Sequence, residues 1–510
     1  MRKVLLILAD QWRADALGAL GGPIGNVAHT PAIDALMARG VTFTNHHTVT
    51  SPCGPSRASL LTGLYAMTHR SVVNGTPLDA RFTTLPVAAL GAGVEPLLVG
   101  YTTTTPDPRT TTPVDPRFHR SGYVMPGFLP IAPFHAGQES YLAFLAARGH
   151  AIPDPVDDLW APDPAWVPPA GRTLAAAPCQ IPAEASDNAF YTSAAIDALR
   201  VRQDRDWLML LAYFRPHPPF IAPDPWHALV DRGAVPLPPA SGAMDHPLAA
   251  HLAATTTQKG FIRHGEGLVA DLTEAAIRDI RATYFGMVGE LDHQIGRLIA
   301  HLEATGELDH TLIVFSADHG ELLGEHGLFG KHGWWDASYR VPLVIVDPRR
   351  KDTAGRRVDA YTESVDVMPT ILEWLGADPI ALDGRSLAPF LAGQTPTDWR
   401  DGVMLEFDLR DLKSPDGGVA GALRLAANQA GAVVWRDAEH TYVRFAGLPP
   451  VLHTADDHHQ RTNRAGDPAL ASLERDLAGR LLDRRIAHAE RTLTHYQAGP
   501  GGLSKFSPSW

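Results

Sequence analysis

The sequence predicts an α/β fold: a large, mainly parallel sheet sandwiched by helices, followed by a smaller α+β unit. Three observations carry this expectation. Val4–Ala9, Trp207–Phe214 and Thr311–Ser316 are short apolar runs without alternation, as in strands buried on both faces. Helical patterns separate them, which favours parallel strands with helices on both sides. Past residue 400 the pattern changes to short strands at close spacing, Val403–Phe407, Ala432–Trp435 and Thr441–Phe445, followed by a helical stretch. A chain of 510 residues is also too long for one ordinary core. The expected division is a large α/β domain over 1–400 and a C-terminal α+β subdomain over 401–510.

Taken in order, Val4–Ala9 is a strand with Asp10 at its C-terminal end, the end where ligands collect in open α/β sheets. Pro31–Arg39 reads as a helix with Thr30 as cap, Pro31 at its first position and Gly40 as stop. Val41–Phe43 starts a strand, and a helix follows Cys53. Asn74–Pro77 is a loop. Glu95–Gly100 reads as a strand running into the polar loop Tyr101–Pro108. Residues 113–185, rich in proline and aromatics, read as an irregular region that shapes the pocket, as does the loop-rich stretch 221–270. Asn188–Arg200 is a helix and Trp207–Phe214 a strand ending in Arg215-Pro216-His217-Pro218-Pro219-Phe220. Leu272–Thr305 reads as a long helical region interrupted around Gly286–Gly289, with Gly306 as stop. Thr311–Ser316 and Val341–Val346 are strands, and Ser364–Leu372 opens a helix. In the C-terminal part, Leu470–Thr492 is helical. The tail 494–510, with Phe506 and Trp510, is either an arm that packs on another subunit or a disordered end.

Composition narrows the function. A formal net charge of −12 argues against a general nucleic-acid surface, while leaving room for a local cationic pocket. The two cysteines, Cys53 and Cys179, do not make a disulfide framework. Met1-Arg2-Lys3 and the apolar run after it lead into Asp10-Gln11-Trp12-Arg13 with no cleavage-like site, and the run is too short to span a membrane. The expected location is the cytoplasm, with no membrane partner.

The stretch Ser51-Pro52-Cys53-Gly54-Pro55-Ser56-Arg57-Ala58-Ser59-Leu60-Leu61-Thr62-Gly63 concentrates the chemistry. Prolines on either side of Cys53 fix φ and remove two backbone donors. A helix beginning there would put residue 53 at an N-terminus that favours an anion, with Arg57 as a second anion handle. Asp10 follows one strand, and Asp318 with His319 follows another. An oxygen-rich set with one imidazole suits a divalent ion such as Mn²⁺, Ca²⁺ or Zn²⁺.

Cys53-x-Pro55-Ser56-Arg57-x-x-Leu60-x-Thr62-Gly63 resembles the signature of type I sulfatases and phosphonate monoester hydrolases, within the alkaline phosphatase superfamily. Ser316-Ala317-Asp318-His319-Gly320-Glu321 and Gly324-Glu325-His326-Gly327-Leu328-Phe329-Gly330-Lys331 resemble its second signature. Asp10-Gln11 is similar to the N-terminal metal motif, with Gln11 where the second acid usually stands. The phosphonate monoester hydrolases also carry Asp-Gln, and the Thr-rich loop Tyr101–Pro108 replaces the Lys-x-His of arylsulfatases. Asn74, Arg215–Phe220 and, more loosely, Arg491–Tyr496 are similar to that branch too.

The resemblance implies an alkaline-phosphatase-like fold and one divalent metal held by Asp10, residue 53, Asp318 and His319, with Gln11 in the motif. It implies that Cys53 is oxidised to formylglycine by a formylglycine-generating enzyme, and that the geminal diol of its hydrate is the nucleophile. Lys331, Asn74, Tyr101 and Thr103 would hold the substrate oxygens. Arg57 would orient residue 53 and its loop, and His217 would be the general acid, supported by Lys331. The implied substrates are small anionic esters: phosphonate monoesters and phosphodiesters first, sulfate and sulfonate esters as side reactions. A dedicated arylsulfatase is the nearest alternative; a non-catalytic metal- or anion-binding protein with an inert Cys53 is the alternative from another class. Relatives in this family form tetramers, so a homo-oligomer is expected.

Overall fold

A computed structural model describes residues 1–112, 114–119, 124–134, 138–239, 245–411, 414, 416–489, 496–499 and 502–505. The main sheet contains β1 (Lys3–Asp10), β2 (Val41–Phe43), β3 (Glu95–Gly100), β4 (Leu129–Pro133), β5 (Trp207–Pro216), β6 (Thr311–Ala317), β7 (Leu343–Val346) and β8 (Arg356–Val358). Their order across the sheet is β4-β3-β5-β1-β6-β7-β2-β8. β1 pairs in parallel with β5 on one side and β6 on the other, which places it centrally and explains why all eight of its residues are buried. β7 runs antiparallel to both of its neighbours, so the sheet is mixed although mainly parallel.

Alternate residues of β1 face two cores. Leu5, Ile7 and Ala9 pack with the helices α1 (Pro31–Arg39), α3 (Asp187–Arg200) and α4 (Glu274–Ala304). Val4, Leu6 and Leu8 pack with α2 (Cys53–Thr62) and α5 (Val367–Leu375). This two-faced burial is why the strand carries no polar alternation.

Beyond the main sheet, β9 (Gly402–Asp408), β10 (Gly431–Asp437), β11 (His440–Phe445) and β12 (Val451–Thr454) form a four-stranded antiparallel sheet in sequence order. Val403, Leu405 and Phe407 pack one of its faces against Trp334, Trp335 and Tyr339. Met404, Trp435 and Leu452 pack the other against α6 (Ala471–Ala487). In the tail, Tyr496–Gly499 pairs antiparallel with Gly502–Lys505. Most of the sequence-expected arm, and Arg491–His495 of the Arg491–Tyr496 motif, lie outside the described residues. Among the described residues, no helix is long and apolar enough to cross a membrane.

The structure corrects several sequence expectations. α4 is one unbroken helix of 31 residues, not two. Its glycines mark close approach, not breaks: a side chain at Gly286 would overlap the Trp226 carbonyl, and one at Gly289 would overlap Leu229. Thr30 does not cap α1 with its side chain. Asp292, from α4, does so instead, accepting from Ala32 N at 2.9 Å and Ile33 N at 2.8 Å. The stretch 113–185, expected to be irregular, contributes the edge strand β4 and the helix Glu139–Ala147. The stretch 221–270 contains the helix Pro247–Thr255.

Candidate active site

Four side chains from three elements meet at the C-terminal edge of the sheet. Asp10 ends β1, Asp318 and His319 follow β6, and Cys53 is the first residue of α2. One ligand atom of each lies within 4.8 Å of every other, and all four residues are buried. His319 Nδ1 donates to Gly320 O at 3.1 Å, which turns Nε2 inward as a lone pair. That lone pair faces Cys53 Sγ at 3.2 Å and one carboxylate oxygen each of Asp10 and Asp318 at 3.6 Å. Burial lowers the His319 pKa to about 4, although Asp318 pulls the other way, so the imidazole is neutral. Several acceptors thus converge with almost no proton to share, an arrangement suited to a divalent cation.

Arg57, fully buried on α2, binds both carboxylates: Nη2 donates to Asp10 Oδ2 at 3.1 Å and Nε to Asp318 Oδ2 at 2.9 Å. Its remaining arm donates to Tyr101 O at 2.7 Å, and its guanidinium lies 3.8 Å from the centre of the Tyr101 ring. Burial raises the Asp10 pKa, with Asp318 adding to the rise. Asp318 is held below the carboxylate range: burial would raise it, but His319, Arg57 and Lys331 together prevail. Cys53 is pushed up to about 12 by burial and by Asp10. The unmodified side chain is therefore a thiol at neutral pH and a weak nucleophile.

Lys331 reaches the site from the loop after β6, donating to Cys53 Sγ at 3.2 Å and to Gln11 Oε1 at 3.0 Å. Burial lowers its pKa, but Cys53, Asp10 and Asp318 outweigh that and raise it, so it is a firm cation. Asn74 accepts from Gly54 N at 2.7 Å through Oδ1, leaving its NH₂ as the donor end. Thr103 adopts a left-handed φ of 56°, and its hydroxyl oxygen is buried without a partner among the described residues. His217 donates from Nδ1 to Pro218 O at 2.8 Å and rests on Phe214 at 4.5 Å between ring centres. Burial, then the Lys331 charge, holds its pKa well below the usual histidine value, which leaves Nε2 as a lone pair at rest.

Two of the expected site residues have protein partners for their polar atoms in the structure. Tyr101, expected at the substrate, donates its hydroxyl to Asp10 Oδ2 and lends its ring to Arg57, so both ends serve the carboxylates. The amide oxygen of Gln11, expected with the metal ligands, is taken by Lys331, and its nitrogen donates to Glu321. Glu321 itself was quoted within a motif but given no role; its partners lie far apart in sequence, and only the apolar strand before it hinted at its burial. A cavity of about 400 Å³ is lined in part by Ser51 and Pro52, which precede Cys53, and by Asn74, Leu252 and Phe407. The helix Pro247–Thr255 supplies one wall, as the sequence suggested, but the antiparallel sheet supplies another, which it did not.

A mainly parallel sheet with an oxyanion-directed helix N-terminus at its C-terminal edge, next to a cation-ready ligand set, has the architecture of an alkaline-phosphatase-like hydrolase. The chain belongs to the sulfatase family, whose model matches residues 2–377. It is 44% identical over 514 residues to the multifunctional alkaline phosphatase superfamily protein PehA of Trinickia caryophylli, covering 99% of each chain. The phosphonate monoester hydrolase of Agrobacterium radiobacter superposes with a TM-score of 0.92 at 38% identity, covering 100% of both chains. That of Silicibacter pomeroyi superposes with a TM-score of 0.91 at 37% identity, covering 99% of both.

Proposed function

We propose that this chain hydrolyses phosphonate monoesters and phosphodiesters, with side activity on sulfate and sulfonate esters, through formylglycine made from Cys53. The observation that carries the reading is the charge around residue 53. Arg57 is engaged by two carboxylates and the Tyr101 carbonyl, so among the described residues Lys331 is the cation that reaches residue 53, and the loop Tyr101–Pro108 offers neutral hydroxyls. One such cation among the described residues, beside neutral donors, suits an ester with a single negative charge at the reacting centre better than a dianion.

Asp10, Asp318, His319 and residue 53 fit a divalent ion, which would supply Lewis-acid polarisation and lower the pKa of a bound hydroxyl. Formylglycine would supply two hydroxyls on one carbon, one to attack and one to let the resulting ester collapse without a separate attacking water. The chain does the rest. Arg57 and Tyr101 fix Asp10 and Asp318, so that the carboxylates meet the ion pre-oriented. Lys331, the Asn74 amide N–H and the Thr103 hydroxyl bind the non-bridging oxygens and stabilise charge as it grows. His217 takes up a proton once the anionic ester arrives and passes it from Nε2 to the leaving oxygen; its Nδ1 bond to Pro218 O holds the ring for this transfer.

Mass spectrometry of the tryptic fragment Gly40–Arg57, with and without an aldehyde-reactive hydrazide, tests the nucleophile. A mass loss matching CH₂SH to CHO, with hydrazone formation, is expected. An unmodified thiol in fully active enzyme would refute the mechanism. Rates on a phenyl phosphonate monoester and an aryl sulfate test the substrate class; a faster aryl sulfate reaction would favour a dedicated arylsulfatase.

A further inference from the structure

The turn Pro216-His217-Pro218-Pro219 carries a single backbone N–H, that of His217. It donates to Phe214 O at 3.1 Å. With three prolines the turn cannot hold itself by backbone bonds, so its carbonyls need donors from elsewhere. Arg215, buried near the end of β5, supplies them. Its Nη1 donates to His217 O at 3.0 Å and to Pro219 O at 3.1 Å, so one amino group clasps the turn at two carbonyls. On the other side its Nε donates to Asp187 Oδ2 at 3.2 Å. Asp187 is the buried first residue of α3. Its neighbours Ser186 and Asn188 donate from Oγ and Nδ2 to Glu290 of α4, at 2.6 and 2.9 Å. Arg215 thereby ties the turn to two helices of the core. The imidazole of His217 lies on Phe214, which stacks on Phe134 at 4.9 Å between ring centres.

We propose that Arg215 is a positioning residue for His217, with Asp187 as its counterion. The inference rests on the reading of His217 as the proton donor to the leaving oxygen. The Pro218 carbonyl and the Phe214 ring set the direction of the imidazole relative to its own backbone. Arg215 sets where that backbone lies. A proton donor misplaced by a fraction of an ångström loses its line to the leaving oxygen, so the clasp acts on the transfer without touching the substrate. The planar guanidinium suits the task because one Nη carries two N–H groups for two carbonyls while Nε points to a carboxylate. A lysine at 215 keeps a positive charge for Asp187 but lacks the fork that holds both carbonyls in fixed directions.

The test compares wild type, Arg215→Lys, His217→Gln and the double variant as full-length, formylglycine-bearing enzyme. The readouts are kcat/KM on the phenyl and para-nitrophenyl monoesters of one phosphonic acid, and the crystal structure of Arg215→Lys. Phenolate leaves poorly without a proton, whereas para-nitrophenolate needs little help, so a lost proton donor is felt mainly on the phenyl ester. Arg215→Lys is expected to lower kcat/KM by about 10- to 100-fold on the phenyl ester and by less than about threefold on the para-nitrophenyl ester. In the His217→Gln background it should cost nothing further, because both changes remove the same transfer. The crystal structure should show the His217 carbonyl and ring displaced. Equal losses on both esters, a full Arg215→Lys effect in the His217→Gln background, or an unmoved turn would each overturn the proposal. If Arg215→Lys does not fold, Asp187→Asn weakens the same clasp while keeping an acceptor for Nε, and a wild-type ratio of the two ester rates there would overturn it equally. If His217→Gln lowers both ester rates alike, the proton-donor reading falls instead, and the crystal structure of Arg215→Lys still decides whether Arg215 sets the turn.

Discussion

Replacing Arg57 by Met tests the electrostatic frame of the site. Methionine keeps much of the volume against the Tyr101 ring but removes the charge and the bonds to Asp10, Asp318 and Tyr101 O. Without metal, the charges in contact with residue 53 and its two carboxylates balance: Asp10 and Asp318 against Arg57 and Lys331, with Cys53 and His319 neutral, while Glu321, pushed up to about 7 by burial, lies further out beside Gln11. The variant leaves one carboxylate uncompensated. Breaking a buried pair from one side costs about 3–5 kcal/mol, because the remaining charge stays out of water. A bound divalent ion supplies the missing positive charge, so the loss should shrink to that of the hydrogen bonds, about 1–3 kcal/mol. The assay is urea unfolding of wild type and variant, each in chelator and in saturating Mn²⁺. The variant midpoint should fall clearly below wild type in chelator, and the gap should narrow with metal. Equal midpoints in chelator, or a gap unaffected by metal, would refute the charge argument.

Lys331→Met should lower kcat/KM by about 10²–10³-fold, the scale of one lost transition-state donor; in chelator it should also lower the melting temperature, since it too leaves one carboxylate uncompensated, and saturating Mn²⁺ should narrow that gap, which steady-state kinetics beside thermal melts checks. Gly286→Ala gains helix propensity, yet it should destabilise the protein by about 1–3 kcal/mol, because the new methyl meets the Trp226 carbonyl; a rise in melting temperature would disprove the packing argument. Burial, with Asp187 adding, raises the Glu290 pKa from 4.5 to about 7. Between those values the native state keeps a proton that the unfolded state has lost, so this residue makes stability fall as pH rises from about 4.5 to 7, by at most roughly 3 kcal/mol. Glu290→Gln should flatten that limb in denaturant titrations; an unchanged slope would show that Glu290 is ionised throughout.

Much of this was legible in the sequence because local pattern and tertiary role agree. β1, β3 and β6 read as strands since each is buried on both faces, and Asp10, Asp318 and His319, each unremarkable alone as a cap or turn, read as ligands only together and through the family signatures that contain them. The helix starting at Cys53 followed from its prolines and its Ala-Ser-Leu-Leu run. What stayed hidden depends on partners far along the chain. β4, Leu-Pro-Ile-Ala-Pro, looked unlike a strand, but it is an edge strand, where missing donors on the outer side cost nothing. The antiparallel direction of β7 is set by the connections on either side of it, not by its own residues. The glycines of α4 imitate a helix break because a close neighbour leaves no mark on the local sequence.

The same distinction separates the site residues. Asp10, Cys53, Asp318 and His319 are typed by their chemistry, so residue identity at strand and helix ends, taken together with the family signatures, selects them. Arg57, Tyr101, Gln11 and Glu321 are typed by which atom they present to which neighbour. Tyr101 could have held substrate as well as Asp10, and Gln11 could have bound a metal as well as an ammonium. In the structure the Tyr101 hydroxyl and both ends of the Gln11 amide have protein partners. Asn74 keeps a free donor end and Thr103 a hydroxyl without a partner among the described residues. A buried donor without a partner is costly unless something else satisfies it, and under the proposed function that role falls to the substrate. Thr103→Val should therefore weaken ester binding while sparing fold stability, whereas Tyr101→Phe should act through Asp10 and lower metal affinity. Titrating Mn²⁺ into both variants separates the two roles; a loss of metal affinity in Thr103→Val alone would reverse the assignment.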